Sequence, residues 1–219
     1  MKHSINHSVI FFCLFLFSCE SEKKISKEVV EDVRQANEIK KINDADILNE
    51  AMTWGDEIST KAQKQLMDQL QNAIADKGIP GAVAFCNINA LPILKETGAE
   101  FGVDIRRTSN DNRNPANQPT GEEKSVLEAY EYNEKNQIDN EPNIQKIKDG
   151  SLLLYTKAIT ISSGLCLNCH GVPGTDIKEE TMEKIKELYP GDKANGHQLG
   201  DLRGMWSISI PQNKIVNRL

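Results

Sequence analysis

Aromatic side chains are scarce, making up 5% of the 219 residues. A core of ordinary density must then be filled by aliphatic residues, or by a bulky apolar group that is not an amino acid. Basic stripes are absent too. The formal net charge is −6, with 26 Lys and Arg against 32 Asp and Glu, and no clustered cations mark a nucleic-acid footprint. No long hydrophobic run occurs: the apolar stretch Val9-Ile10-Phe11-Phe12-Cys13-Leu14-Phe15-Leu16-Phe17 is too short to span a bilayer as a helix. No internal repeat is visible, which argues against solenoids and propellers. Cysteine is sparse, at five residues, so each one asks for an account.

The short apolar run follows Met1-Lys2-His3 and reads as the core of an export signal. It ends in Leu16-Phe17-Ser18-Cys19, which looks like a lipobox, where a small residue precedes a cysteine whose thiol takes a diacylglycerol. An uncleaved anchor and cleavage by ordinary signal peptidase are the alternatives. Residues 1–18 are thus read as a lipoprotein signal peptide, 19–42 as a charged flexible tether, and 43–219 as one folded domain. Lys2 is the one charged residue of the first eighteen, so its removal takes the formal −6 to −7. Two or three acyl chains anchor stably where one binds weakly. The expected location is the cell envelope of a bacterium, on the periplasmic side or the outer surface.

Cys166-Leu167-Asn168-Cys169-His170 is a CxxCH pentapeptide. Two thiols at this spacing can meet the two vinyl groups of one haem from a single tight turn, and the next imidazole can ligate iron. One covalent haem c per chain is the cofactor this spacing predicts. The alternative is half of a zinc site, which needs further donors from among His170, His197 and Cys86. An exported chain favours haem. With Cys13 lost in the signal, Cys19 lipidated and Cys166 and Cys169 attached, Cys86 has no disulfide partner. It is either a buried small hydrophobe or a sixth ligand to the iron.

Ordered structure should begin near Asn43-Asp44, a helix cap. Ile47, Ala51, Trp54, Ile58, Ala62, Leu66, Leu70 and Ala73 then recur every three or four residues, one apolar stripe on a long helix. The stripe serves core packing or the seam of a homodimer; core packing is favoured, given the interrupting Gly55 and the small alanines. Gly78 ends the helix, Pro80 opens a second one holding Cys86, and Pro92 should break or kink it. Strands are expected over 103–108, 151–161 and 205–210, and helices over 121–132 and 176–188. The elements do not alternate as βαβ units, so the fold class is α+β with a small antiparallel sheet.

Several blocks, in order, make the chain resemble the exported c-type haem domains of the Tll0287-like family. They are Ala82-Val83-Ala84-Phe85-Cys86, Arg106-Arg107-Thr108-Ser109, Arg113-Asn114-Pro115-Ala116-Asn117, the haem motif with Gly171, Tyr189-Pro190-Gly191-Asp192 and Gly200-Asp201-Leu202-Arg203-Gly204. The resemblance implies a PAS-like antiparallel sheet beside a long N-terminal helix. It implies iron held by a histidine and a cysteine, here His170 and Cys86, and a sensory role, since such domains occur fused to signalling modules. Two rivals for the sixth position are Met205, which as a strand residue is expected in the core, and His197, expected exposed in a Gly-flanked loop. Arg106 or Arg107 is a candidate clamp for the haem propionates, because guanidinium forks suit carboxylates.

His/Cys ligation leaves no coordination position for substrate, and thiolate favours ferric iron. The expected function is therefore a membrane-tethered redox or small-ligand sensor, or a low-potential electron carrier passing electrons to a redox partner protein. The alternative is a haem enzyme of peroxidase or reductase type with an openable distal site, which would also need a distal acid–base group.

Overall fold

The computed structural model describes residues 26–30 and 42–219. The chain divides into two compact units, 1–41 and 42–219. The expected signal peptide, Cys19 and most of the tether lie outside the described residues. Within the first unit, Val29 N–H donates to Ser26 Oγ at 3.2 Å, capping a short helical turn. No helix of the described residues is long and apolar enough to cross a membrane.

The second unit is α+β. Helix α1 (Asp44–Phe101) starts at a capping box: the Asn43 side chain accepts from Asp46 N–H at 3.0 Å, and the Asp46 carboxylate accepts from Asn43 N–H at 3.3 Å. It is broken at Gly78, whose φ of 68° lies in the region that favours glycine. The two arms, 44–77 and 79–101, double back on each other. Thr97 Oγ1 donates to Gln65 Oε1 at 2.6 Å, Lys61 pairs with Glu100, and the Trp54 and Phe101 rings meet edge-on at 6.2 Å. Pro92 does not interrupt the second arm. It sits exposed, so its ring points to solvent, and the buried Leu94, Thr97 and Gly98 beyond it hold the arm to its partner.

The sheet is four-stranded and antiparallel, in the order β1-β4-β3-β2, from β1 (Asp104–Thr108), β2 (Asn143–Ile147), β3 (Leu152–Thr160) and β4 (Leu202–Pro211). One face carries the first arm of α1. There Ile47, Ala51, Trp54, Ile58 and Ala62 pack with Ile105, Leu153, Tyr155, Trp206, Ile208 and Ile210 in one buried cluster. Full burial of a side chain such as Ile58 contributes about 2–3 kcal/mol. The N-terminal half of the stripe is thus spent on the sheet, which removes it from any dimer seam. Gly55 lets α1 come this close, because a Cβ there would stand 2.3 Å from the Tyr155 ring. The other face carries α2 (Glu123–Lys135), with Val126, Leu127 and Tyr130 packed on Met205. Three short helices complete the unit: α3 (Gly164–His170), α4 (Glu179–Leu188) and α5 (Gln212–Val216).

Candidate functional site

The pentapeptide forms α3, a seven-residue helix rather than a tight turn. Cys166 and Cys169 are three apart and Cys166 and His170 four apart, so all three share one helical side. Cys169 packs against the cluster of Val83, Ile177, Ile185 and Tyr189, which joins α3 and α4 to the second arm of α1. That arm carries Cys86. Burial raises the Cys169 thiol to about 11, and Arg113, Cys86 and Cys166 are all near enough to act on it electrostatically. Burial likewise raises the Cys86 thiol, against the pull of Arg107 and Arg113. All three cysteines are free thiols. The fold therefore gathers Cys86 and the pentapeptide, 80 or more residues apart in sequence, at one place.

His170 is held by one short contact, its Nδ1 lying 2.7 Å from the Ala194 carbonyl oxygen. A carbonyl only accepts, so Nδ1 bears the proton and Nε2 keeps its lone pair. Arg203 Nε lies 3.2 Å from the same protonated Nδ1, which makes it a neighbouring charge and not a second hydrogen bond. Burial first, then Arg203 and Arg113, hold the imidazole pKa well below its ordinary value. The ring is a neutral donor with its free nitrogen at Nε2, the form a metal takes.

Three guanidiniums surround this place. Arg113 is bound to Asp192 at 3.0 Å through Nε, and its Nη2 donates to the Cys169 carbonyl at 2.5 Å and the Ala194 carbonyl at 3.3 Å. Arg203 donates to Ser109 Oγ at 3.0 Å. Burial and the like charges of Arg113 and Arg107 lower its pKa to about 10. Arg107 lies over the Trp206 ring at 6.0 Å, and its Nε is buried with no hydrogen-bond partner. Asp192 is the buried carboxylate among them, with a side chain 4% exposed. Three cations against one buried anion leave room for an anionic group, and Arg107 presents the orphaned donor for it.

Arg106 and Met205 fall elsewhere, whereas His197 lies beside His170. Adjacent strand residues point to opposite faces, so Arg106 lies across the sheet from Arg107. Its guanidinium is fully engaged there, donating to Thr120 Oγ1, Glu123 Oε2 and the carbonyls of Ala116 and Gln118 at 3.0–3.1 Å. Of the two candidate clamps, the structure brings Arg107 to the site and not Arg106. Met205 is 0% exposed and packed under α2, on the face away from the Arg107 side chain, as a core residue. His197 is not the exposed residue expected. Its N–H donates to the His170 carbonyl at 2.9 Å, its ring lies 6.4 Å from that of His170, and its Nε2 is buried without a partner. Among the described residues no three His, Cys, Asp or Glu side chains form a metal-ion cluster. Ala194 as the histidine's acceptor has no sequence signal, since a backbone carbonyl is carried by every residue.

Set against known proteins, the chain matches the Tll0287-like family over residues 19–211. Among solved structures it resembles that of the cyanobacterial haem protein Tll0287, at 25% sequence identity and a TM-score of 0.48, over 70% of this chain and 95% of that one. No curated protein matches it.

Proposed function

The chain belongs to the Tll0287-like family, and from that premise we propose that it is a c-type haem protein of the bacterial cell envelope. It serves as a redox or small-ligand sensor, or as a low-potential electron carrier. The observation that carries this reading is the approach of Cys86 to Cys169 of the Cys166–His170 helix, beside a surplus of buried guanidinium charge.

The residues fit the group. Cys166 and Cys169 would hold it by adding each S–H across one vinyl group to form a thioether, with the proton going to the vinyl carbon. His170 presents an unprotonated Nε2 because Ala194 takes the proton side of the ring. Cys86 presents sulfur from the facing helix. Asp192 is paired with Arg113, and Arg107, with its orphaned Nε, and Arg203 are the residues that would hold the two propionates of a bound haem. Haem bound there would supply a one-electron iron couple. Cys86 as thiolate would favour the ferric state and lower the potential, and a His/Cys pair leaves no position for substrate. A PAS-like arrangement of helix and sheet, and an anchor through lipidated Cys19, complete the proposal.

The test is the spectrum of the full chain produced in a host with haem-attachment machinery. One haem per chain with a six-coordinate, low-spin ferric spectrum is expected. A five-coordinate, high-spin ferric iron that binds cyanide at once would contradict it and point to an open catalytic site.

A further inference from the structure

The Arg113–Asp192 pair joins three stretches that are distant in sequence. Arg113 follows β1, Asp192 follows α4, and the carbonyl of Cys169 belongs to α3. The pair is buried, with side chains 12% and 4% exposed. Both ends converge on the same carbonyl-bearing turn. Asp192 Oδ1 accepts from Ala194 N–H at 3.0 Å, and Asp192 Oδ2 accepts from Asn195 Nδ2 at 3.2 Å, which fixes the turn from inside. Arg113 Nη2 donates to the Ala194 carbonyl at 3.3 Å and to the Cys169 carbonyl at 2.5 Å. That Ala194 oxygen is the acceptor of the His170 Nδ1 proton at 2.7 Å. A single fork thus positions both the backbone of α3 one residue before His170 and the oxygen that orients the His170 ring.

We propose that Arg113 and Asp192 form a positioning clamp that sets the donor strength of His170 by holding the Ala194 carbonyl on its Nδ1 proton. The proposal rests on the haem reading given above. The physical reason is that a firm hydrogen bond at Nδ1 raises the basicity of Nε2, and outer partners of a ligating histidine tune the metal in this way. A basic imidazole favours ferric iron, so loosening the clamp raises the reduction potential. Arg113→Lys separates geometry from charge: the cation stays, while the planar fork that reaches Asp192 and two carbonyls together is lost.

The experiment measures the potential and the thermal midpoint of the haem-loaded full chain for wild type, Arg113→Lys, Asp192→Asn and the double variant. The expected result is haem retained in all four, with a shift to higher potential in each single variant. The double variant should shift no further than the larger single one, because two partners of one clamp are not additive. A merely structural pair would lower the thermal midpoint and leave the potential alone. An Arg113→Lys potential equal to wild type overturns the clamp. Should that variant not fold, additive shifts, or no shift, in Asp192→Asn variants bearing other Arg113 substitutions that do fold overturn it. Wild-type protein without haem would instead overturn the reading on which the clamp rests.

Discussion

Burial alone would keep Cys86 a neutral thiol, since desolvation raises its pKa, while Arg107 and Arg113 act in the opposite direction. The two cations therefore ease the charged sulfur that a ferric iron would take as ligand. Cys86→Ala removes that donor without touching the thioether links proposed at Cys166 and Cys169. The variant should keep its haem, turn high-spin or take up water, show a raised potential and bind exogenous ligands faster, all read from spectra and redox titration. If Cys86 were only packing, the change would cost roughly 1 kcal/mol through a small cavity and leave the spectrum as it was. At this scale the pentapeptide was legible because its chemistry lies in one local spacing. For Cys86, elimination left core packing and iron ligation both open, and only the family resemblance implied a ligand. The choice between Arg106 and Arg107 was not legible, since it depends on which sheet face each neighbour takes. The Arg113–Asp192 pair spans 79 residues and has no sequence signature.

Among the elements, the packing of the first arm of α1 on the sheet sets the frame that holds the second arm, and with it Cys86. Gly55 marks the closest approach. Gly55→Ala would gain up to about 1 kcal/mol in helix propensity, yet its methyl would stand 2.3 Å from Tyr155 Cγ, where backbone or ring must shift. Overpacking of this kind costs about 1–3 kcal/mol, so net destabilisation is expected as a lower denaturant midpoint; an unchanged or higher midpoint would contradict the packing account. The apolar stripe made the first arm readable, and strands β1, β3 and β4 stood out as β-rich runs. Strand β2 did not, because Asn143-Ile144-Gln145-Lys146-Ile147 lacks a clean alternation on an edge strand that is only half covered. Helix α3 has no side-chain cap and seven residues, too few for a period to show. Pro92 signals a break or kink, but contacts across the hairpin outweigh one missing hydrogen bond.

For the whole molecule, the scarcity of aromatic residues is consistent with a domain whose bulky apolar filling is in part a prosthetic group. Held covalently, such a group would stay on the unfolded chain too, and it would stabilise the fold through the apolar surface it buries in the native state. The anchoring proposal is separable from the site: Cys19→Ser should release the chain from membranes or leave it unprocessed, while the wild type carries lipid mass. A mature N-terminus at a residue other than Cys19, bearing no lipid, would refute the anchor without affecting the haem reading. The account as a whole turns on covalent attachment through Cys166 and Cys169. Its most direct measurement is extraction with acid acetone followed by intact mass. Wild-type protein should retain the mass of one haem, either single Cys→Ser variant should keep one thioether, and the double variant should release all of its haem. Acid-resistant haem in the double variant, or none on the wild type, would contradict the account.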